Sequence, residues 1–139
     1  MTTPVPADGS CLCGAVTFRI EPPYMAFQYC HCSRCRKASG SAHCANVFVP
    51  AAQLTWTAGE AHVRRHELAS ARAFCTGFCD TCGSRLPWLT RNGKVFIVPA
   101  GALDSDPGAR PTRNVQFASG APWYTSCAEL PTFDEDPPR

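Results

Sequence analysis

The sequence predicts an all-β domain, mainly antiparallel. Three observations carry this. Val16, Phe18 and Ile20 alternate with Thr17 and Arg19, the period of two of a half-buried strand. Asn92-Gly93 separates two apolar runs, and that dipeptide tolerates positive φ at both central positions of a hairpin turn. Thirteen prolines and ten glycines leave room for little more than a turn or two of helix, placed near residues 33–38.

The elements follow in order. Residues 16–20 form the first strand. Short strands are expected at 27–29 and 46–49, each ending near a turn or proline. Residues 54–57 and 63–68 flank Ala58-Gly59-Glu60, a turn. Residues 86–91 and 94–98 flank Asn92-Gly93, and 115–118 form a last short strand. Residues 1–8 and 134–139 are read as flexible ends of one domain spanning 9–133.

The 139 residues carry 13 Lys and Arg against 11 Asp and Glu, a formal charge of +2. That balance excludes a general electrostatic clamp on nucleic acid. No window reaches the apolar length needed to span a membrane. Val, Ile, Leu and Phe make up only about 18% of the chain, which without a large net charge points to a folded domain whose thin core needs reinforcement.

Ten cysteines supply it. The N-terminus lacks a basic start followed by an apolar stretch, so no secretory signal is expected. A cytoplasmic protein keeps its thiols reduced and free to bind a soft metal. Seven cysteines fall in three tight groups: Cys11-Leu12-Cys13-Gly14, Cys30-His31-Cys32-Ser33-Arg34-Cys35 and Cys79-Asp80-Thr81-Cys82-Gly83. Cys11 and Cys13 can present two sulfurs to one point, because residues two apart in extended chain project to the same side. Cys79 and Cys82 have the spacing of a metal knuckle. Together they make a closed tetrahedral zinc site of Cys11, Cys13, Cys79 and Cys82. The middle group offers three sulfurs and no certain fourth ligand. Three protein ligands and an open position is the pattern of catalytic zinc. Closure by His31, His43 or Cys44, or ligand exchange between groups, is the competing reading. Two zincs on seven thiolates would move the formal charge from +2 to about −1.

The other candidates carry weaker signals. Arg36 and Lys37 follow Cys35 and either draw a substrate carboxylate or form a solvated basic pair. His31 stands between two ligand cysteines as a proton carrier, a fourth ligand or a supporting residue. Ser39 and Gly40 belong to a turn. His62 and His66 read as surface residues, Trp88 and Trp123 as core, and Cys44, Cys75 and Cys127 as buried or half-buried thiols. Arg110 and Arg113 meet either an anion or water.

The order Gly9-x-Cys11-x-Cys13-Gly14-x-Val16, then Cys30-His31-Cys32-Ser33-x-Cys35-Arg36-Lys37, then Phe78-Cys79-x-x-Cys82-Gly83-Ser84 resembles the glutathione-dependent formaldehyde-activating enzyme family, whose domain is shared with centromere protein V. Arg110-Pro111-Thr112-Arg113 and Ala121-Pro122-Trp123-Tyr124 extend the likeness toward Phe133. The resemblance implies a β-tent of twisted antiparallel sheets and two Zn2+ ions. One is structural, at Cys11, Cys13, Cys79 and Cys82; the other is catalytic, at Cys30, Cys32 and Cys35. The implied activity joins formaldehyde to glutathione and is classed as a carbon–sulfur lyase. The enzyme that names the family is longer, so segments that shape a glutathione site are expected to be reduced here. A zinc-stabilised binding module without catalysis is the alternative. No Ser-His-Asp array or paired carboxylates accompany the cysteines. A free thiol of pKa about 8.5 is only a few per cent ionised at pH 7, and full ionisation on a metal is worth about 2 kcal/mol. Holding both reactants in place is the other contribution such a site can make.

Overall fold

The structure is a computed structural model, and it describes residues 3–139. Its strands are β1 (Ala7–Ser10), β2 (Thr17–Ile20), β3 (Ala26–Cys30), β4 (Cys44–Pro50), β5 (Leu54–Ala58), β6 (Val63–Glu67), β7 (Cys75–Cys79), β8 (Arg85–Leu86), β9 (Trp88–Leu89), β10 (Val95–Pro99) and β11 (Asn114–Val115). The helix α1 (Ser33–Ser39) lies between β3 and β4, and short 3-10 turns fill several connections. The strands form three small sheets, ordered β1-β2-β5, β11-β3-β4-β10-β9 and β6-β7-β8. Every strand pair is antiparallel except β11 with β3. The expected mainly antiparallel all-β architecture is therefore present. No helix of the described residues is long and apolar enough to cross a membrane.

The alternation read in the first strand is real. Phe18 and Ile20 on β2 point inward and are buried, as are Val47 and Val49 on β4. They meet Leu86 and Val98 in one core that also contains Cys11 and Cys79. Burying each such aliphatic or aromatic side chain is worth about 1.5–3 kcal/mol. Trp56 closes the edge of this core, its ring T-shaped against Phe18 at 6.0 Å and Phe96 at 6.2 Å.

The Asn92-Gly93 hairpin forms as expected, with Leu89 opposite Phe96 and Trp88 opposite Ile97. The strand expected over 86–91 is split, however. Pro87 is fully buried between β8, which pairs with β7, and β9, which pairs with β10. A residue without an N–H suits the point where a chain leaves one sheet for another. Ala58-Gly59-Glu60 likewise turns the chain without making a hairpin. β5 pairs with β2, and β6 leaves for β7. Four of the five β6 residues are exposed, and its Arg64, Arg65 and Glu67 give the edge the charge that discourages further pairing.

One strand lies where the sequence carries no strand signal. β1 pairs with β2 from Ala7 onward, two residues ahead of the expected domain start. Gly9 allows this, since a Cβ there would stand 2.3 Å from the Phe18 ring. Met1 and Thr2, part of the end expected to be flexible, lie outside the described residues. β7 is bracketed by its own cysteines, Cys75 and Cys79, both fully buried. At the other end, the strand expected at 115–118 stops at Val115. Gln116 turns to φ 54° and a 3-10 turn covers Phe117–Ser119.

Candidate metal centres

The first cysteine cluster is built from two turns. After β1, Cys11 accepts the Gly14 amide on its carbonyl at 3.1 Å and the Val16 amide on its sulfur at 3.2 Å. After β7, the Cys79 carbonyl accepts the Gly83 amide at 2.8 Å. These turns aim four sulfurs at one point. Cys11 and Cys13 Sγ are 3.6 Å apart, Cys13 and Cys79 Sγ 4.0 Å, and all four lie within 4.8 Å of one another. Disulfide sulfurs would be about 2.05 Å apart. Four sulfurs each about 2.3 Å from a tetrahedral zinc would stand about 3.8 Å from one another. The observed spacings bracket that value, so the residues fit the metal expected for them.

Ser84 joins the two turns, a role its sequence position did not announce. Its hydroxyl accepts the Leu12 amide at 3.0 Å and lies 3.2 Å from Cys82 Sγ. The Ser84 hydroxyl and amide hold the Cys82 thiol down to about 6, below the usual thiol range. Within the same set, the Ala15 amide lowers the Cys13 thiol, but desolvation and the neighbouring sulfurs outweigh it and push that thiol up to about 11.

The second cluster is local. Cys30 ends β3, Cys32 caps α1 and Cys35 lies one turn inside it. The Cys32 sulfur accepts the Cys35 amide at 3.3 Å. The three sulfurs lie within 4.8 Å of one another. Burial works against ionising Cys32, but the amide and sulfur contacts from Cys35 and Cys30 outweigh it and lower the thiol. Three sulfur donors this close also fit zinc, whose remaining position would then fall to another ligand.

Among the described residues, no further Cys, His, Asp or Glu joins this trio within the same span. Each alternative fourth ligand makes contacts elsewhere, while Nδ1 of His31 and Nδ1 of His43 are buried with no hydrogen-bond partner among the described residues. Cys44 faces Cys30 across the β3–β4 pair, and its sulfur donates to the Cys35 carbonyl at 3.3 Å. His31 is completely buried. Its Nε2 lies 2.8 Å from Asn114 Oδ1, and its ring packs against His43 and Phe117 at 4.9 Å and Tyr124 at 5.4 Å. His43 stacks on Tyr29 at 4.3 Å, and burial lowers its pKa. Neighbouring residues in extended chain point opposite ways. His31 therefore packs into this aromatic nest while Cys30 and Cys32 turn to the cluster.

Arg36 and Lys37 both sit in the last turn of α1. Arg36 is half-buried, and among the described residues its Nε has no hydrogen-bond partner. Lys37 is exposed beside a shallow cavity of about 330 Å³ that His66 and Phe74 also line. Arg85 escaped the sequence reading because it follows the third motif without a spacing of its own. Its Nη1 donates to the Ala38 carbonyl at 2.6 Å, tying β8 to the helix that carries Cys35.

Several expectations need correction. Trp123 is 66% exposed rather than core, and Trp88 is half-buried. Cys127 is exposed. Arg110 and Arg113 have partners within the fold: Arg110 forms a two-bond pair with Asp106, both contacts at 2.8 Å, and Arg113 donates to Gln28 at 2.8 Å. His62 is a surface residue as expected, bonded through Nδ1 to Asp80 at 2.9 Å.

Comparison with known proteins agrees with this geometry. The family model described as glutathione-dependent formaldehyde-activating enzyme matches residues 6–119. A protein of Halomonas elongata named "Putative glutathione-dependent formaldehyde-activating enzyme" is 32% identical over 111 residues, covering 76% of this chain and 71% of its own. A crystal structure of a Rhodobacter sphaeroides protein superposes with a TM-score of 0.59 at 21% identity, covering 77% of this chain and 98% of its own, and supports the fold.

Proposed function

The chain belongs to the glutathione-dependent formaldehyde-activating enzyme family, and we propose that it joins formaldehyde to glutathione, giving S-(hydroxymethyl)glutathione. The observation that carries this is the trio of Cys30, Cys32 and Cys35, three sulfurs held together without a fourth donor from the described residues, beside a complete set of four. In the proposed reaction a carbon–sulfur bond forms between the thiol sulfur and the carbonyl carbon. The thiol proton is balanced by one taken up on the carbonyl oxygen. Nothing is oxidised or reduced, and the reverse reaction is that of a carbon–sulfur lyase.

Zinc on the trio would favour the ionised thiol or polarise the carbonyl oxygen. The chain's own residues do the rest. The Cys35 amide fixes the Cys32 sulfur. Asn114 anchors His31, which holds the segment between Cys30 and Cys32 in place. Arg36 and Lys37, on the same helix as Cys35, would attract a substrate carboxylate. The set of Cys11, Cys13, Cys79 and Cys82 would hold the structural zinc. The proposed setting is cytoplasmic, and the near-neutral charge favours small-molecule over nucleic-acid partners.

Exchange of 13C-labelled formaldehyde with its glutathione adduct, followed by NMR, tests the proposal. The zinc-loaded protein should accelerate exchange above the spontaneous rate, and Cys32→Ser should lose that acceleration while staying folded. Exchange at the spontaneous rate with both metal sites loaded would instead support a zinc-stabilised binding module.

A further inference from the structure

We infer that the groove between α1 and the β6–β7 pair takes the acidic tail, residues 129–139, of a second copy of this chain, the two copies exchanging tails. The inference is independent of the reaction proposed at the trio.

The groove has a volume of about 330 Å³. Arg34 and Lys37 line it from α1, and Leu68 and Phe74 from the connection between β6 and β7. His66 and Thr76 complete it; they are partners across the two strands and so share one face of the sheet. Arg34, Lys37 and His66 are exposed, and none belongs to an ion pair among the described residues. No acid among the described residues lines the groove. Glu67, next to His66, points to the other face of the sheet and pairs with Arg65 at 3.0 Å. Two unpaired cations and an imidazole thus surround an apolar floor. Such a surface calls for a partner with an apolar anchor next to negative charge. A simple anion would leave the floor uncovered.

The chain carries that chemistry itself. Four of its eleven acids, Glu129, Asp134, Glu135 and Asp136, fall in the last eleven residues against one base, Arg139, so residues 1–128 hold the other twelve bases against seven acids. None of the four acids belongs to an ion pair among the described residues. Phe133 stands directly before three carboxylates, an aromatic anchor followed by negative charge. Leu130 and Phe133 are 52% and 53% exposed, and neither lines the groove of its own chain. The tail lies beyond residues 6–119, the part the family model matches. Residues 131–139 form no strand or helix, and nine extended residues span up to about 30 Å, enough to cross to a neighbour. Each copy has one groove and one tail, so a two-fold pair fills both grooves and covers both tails at once.

Sedimentation velocity of the whole zinc-loaded chain tests this. Between about 1 and 500 µM, the range of transient associations, wild type should pass from monomer to dimer. Salt at about 1 M, where the screening length falls to about 3 Å, should weaken the dimer several-fold. Phe133→Ser and Arg34→Glu should each weaken it about 10-fold. The decisive arm exchanges the charges. One variant combines Arg34→Glu with His66→Glu, reversing the groove; the other combines Asp134→Lys, Glu135→Lys and Asp136→Lys, reversing the tail. Each alone should be monomeric, because its groove and tail repel. Their mixture should dimerise, because each groove then meets a tail of opposite sign. All the substituted side chains are exposed and free of ion pairs among the described residues, so melting temperatures should match wild type. A chain that stays monomeric throughout would overturn the inference, as would a dimer that persists in both reversed variants. A monomer in which the 19F signal of a fluorinated Phe133 shifts on Arg34→Glu would put the tail in its own groove and equally overturn it.

Discussion

Cys13 and Cys79 meet across 66 residues of chain, whereas Cys30, Cys32 and Cys35 fall within a single strand-to-helix junction. The first cluster shares its core with Phe18, Val47 and Leu86, and its turns are tied together by Ser84. The second hangs on one end of β3 and the first turn of α1. A metal in the first would join two of the three sheets' connections and act as part of the core. A metal in the second would leave the rest of the molecule much as it stands. The proposed division into structural and catalytic sites is thus a statement about how much chain each ligand set closes.

The largest expected effect comes from removing one sulfur from each set. Closing 66 residues rather than about six adds roughly 2 kcal/mol of loop entropy to what the metal must hold. Structural zinc contributes about 10–16 kcal/mol of binding energy that is coupled to folding, as much as the whole stability of an ordinary domain. Cys79→Ser should therefore unfold the domain or cause aggregation. Cys32→Ser should remain soluble, retain one zinc and melt within a few degrees of wild type. Thermal unfolding and metal content measured side by side decide it, and the opposite pattern would reverse the assignment.

A glycine pair probes the same contrast without touching a ligand. Gly59 and Gly40 both adopt left-handed backbone, at φ 72° and 68°. A Cβ at Gly59 would lie 1.9 Å from the Ala15 carbonyl oxygen, beside the first cluster, whereas one at Gly40, after α1, meets nothing within 4 Å. Gly40→Ala should cost about 1 kcal/mol, the usual left-handed penalty. Gly59→Ala adds a backbone clash and should cost about 3 kcal/mol or more, seen as a melting-temperature loss above about 10 °C. Equal losses would mean that the two surroundings are equally yielding.

Cobalt reports on openness. Substituted into both sites, it should change its visible spectrum on addition of millimolar glutathione, and the change should be absent in Cys32→Ser. A response that persists in Cys32→Ser would place the open position in the first cluster.

Most of this contrast is legible in the chain itself. Tight spacing identifies the cysteines because a shared metal needs several sulfurs at one point, and short segments can supply them only at certain intervals. Alternation revealed β2 because one face of it is buried, and β4 showed as a short apolar run ending at a proline. β1 escaped notice because Ala7-Asp8-Gly9-Ser10 has almost no apolar side chains; it is a strand only because β2 lies beside it. The split at Pro87 was hidden for a similar reason: a continuous apolar run does not say which sheet each residue joins. The burial of His31 and the reach of Arg85 depend on Asn114 and Ala38, which lie 83 and 47 residues away. No local pattern encodes such contacts.

The smallest expected effect concerns Asp80, inside the Cys79–Cys82 turn. Its carboxylate accepts from His62 Nδ1 at 2.9 Å and Arg64 Nη2 at 2.8 Å, tying the turn to the start of β6. The His62 bond, helped by Thr81 and Arg64, holds the Asp80 carboxyl below the usual carboxylate range. A depressed acid stabilises the fold above its unfolded value, 3.8, and loses that contribution as pH falls through its lower folded value. Because the contact is at the surface and screened by solvent, Asp80→Asn should lower the melting temperature by only about 1–3 °C. The zinc at Cys30, Cys32 and Cys35 should be untouched, since no bond from Asp80 reaches α1. The deficit should stay flat between pH 8 and 5, where the carboxylate is ionised throughout. A deficit that changes between pH 8 and 5 would contradict a contact carried by the ionised carboxylate. Loss of the second zinc in Asp80→Asn would show that the two clusters are coupled, and would undo the separation on which their different roles rest.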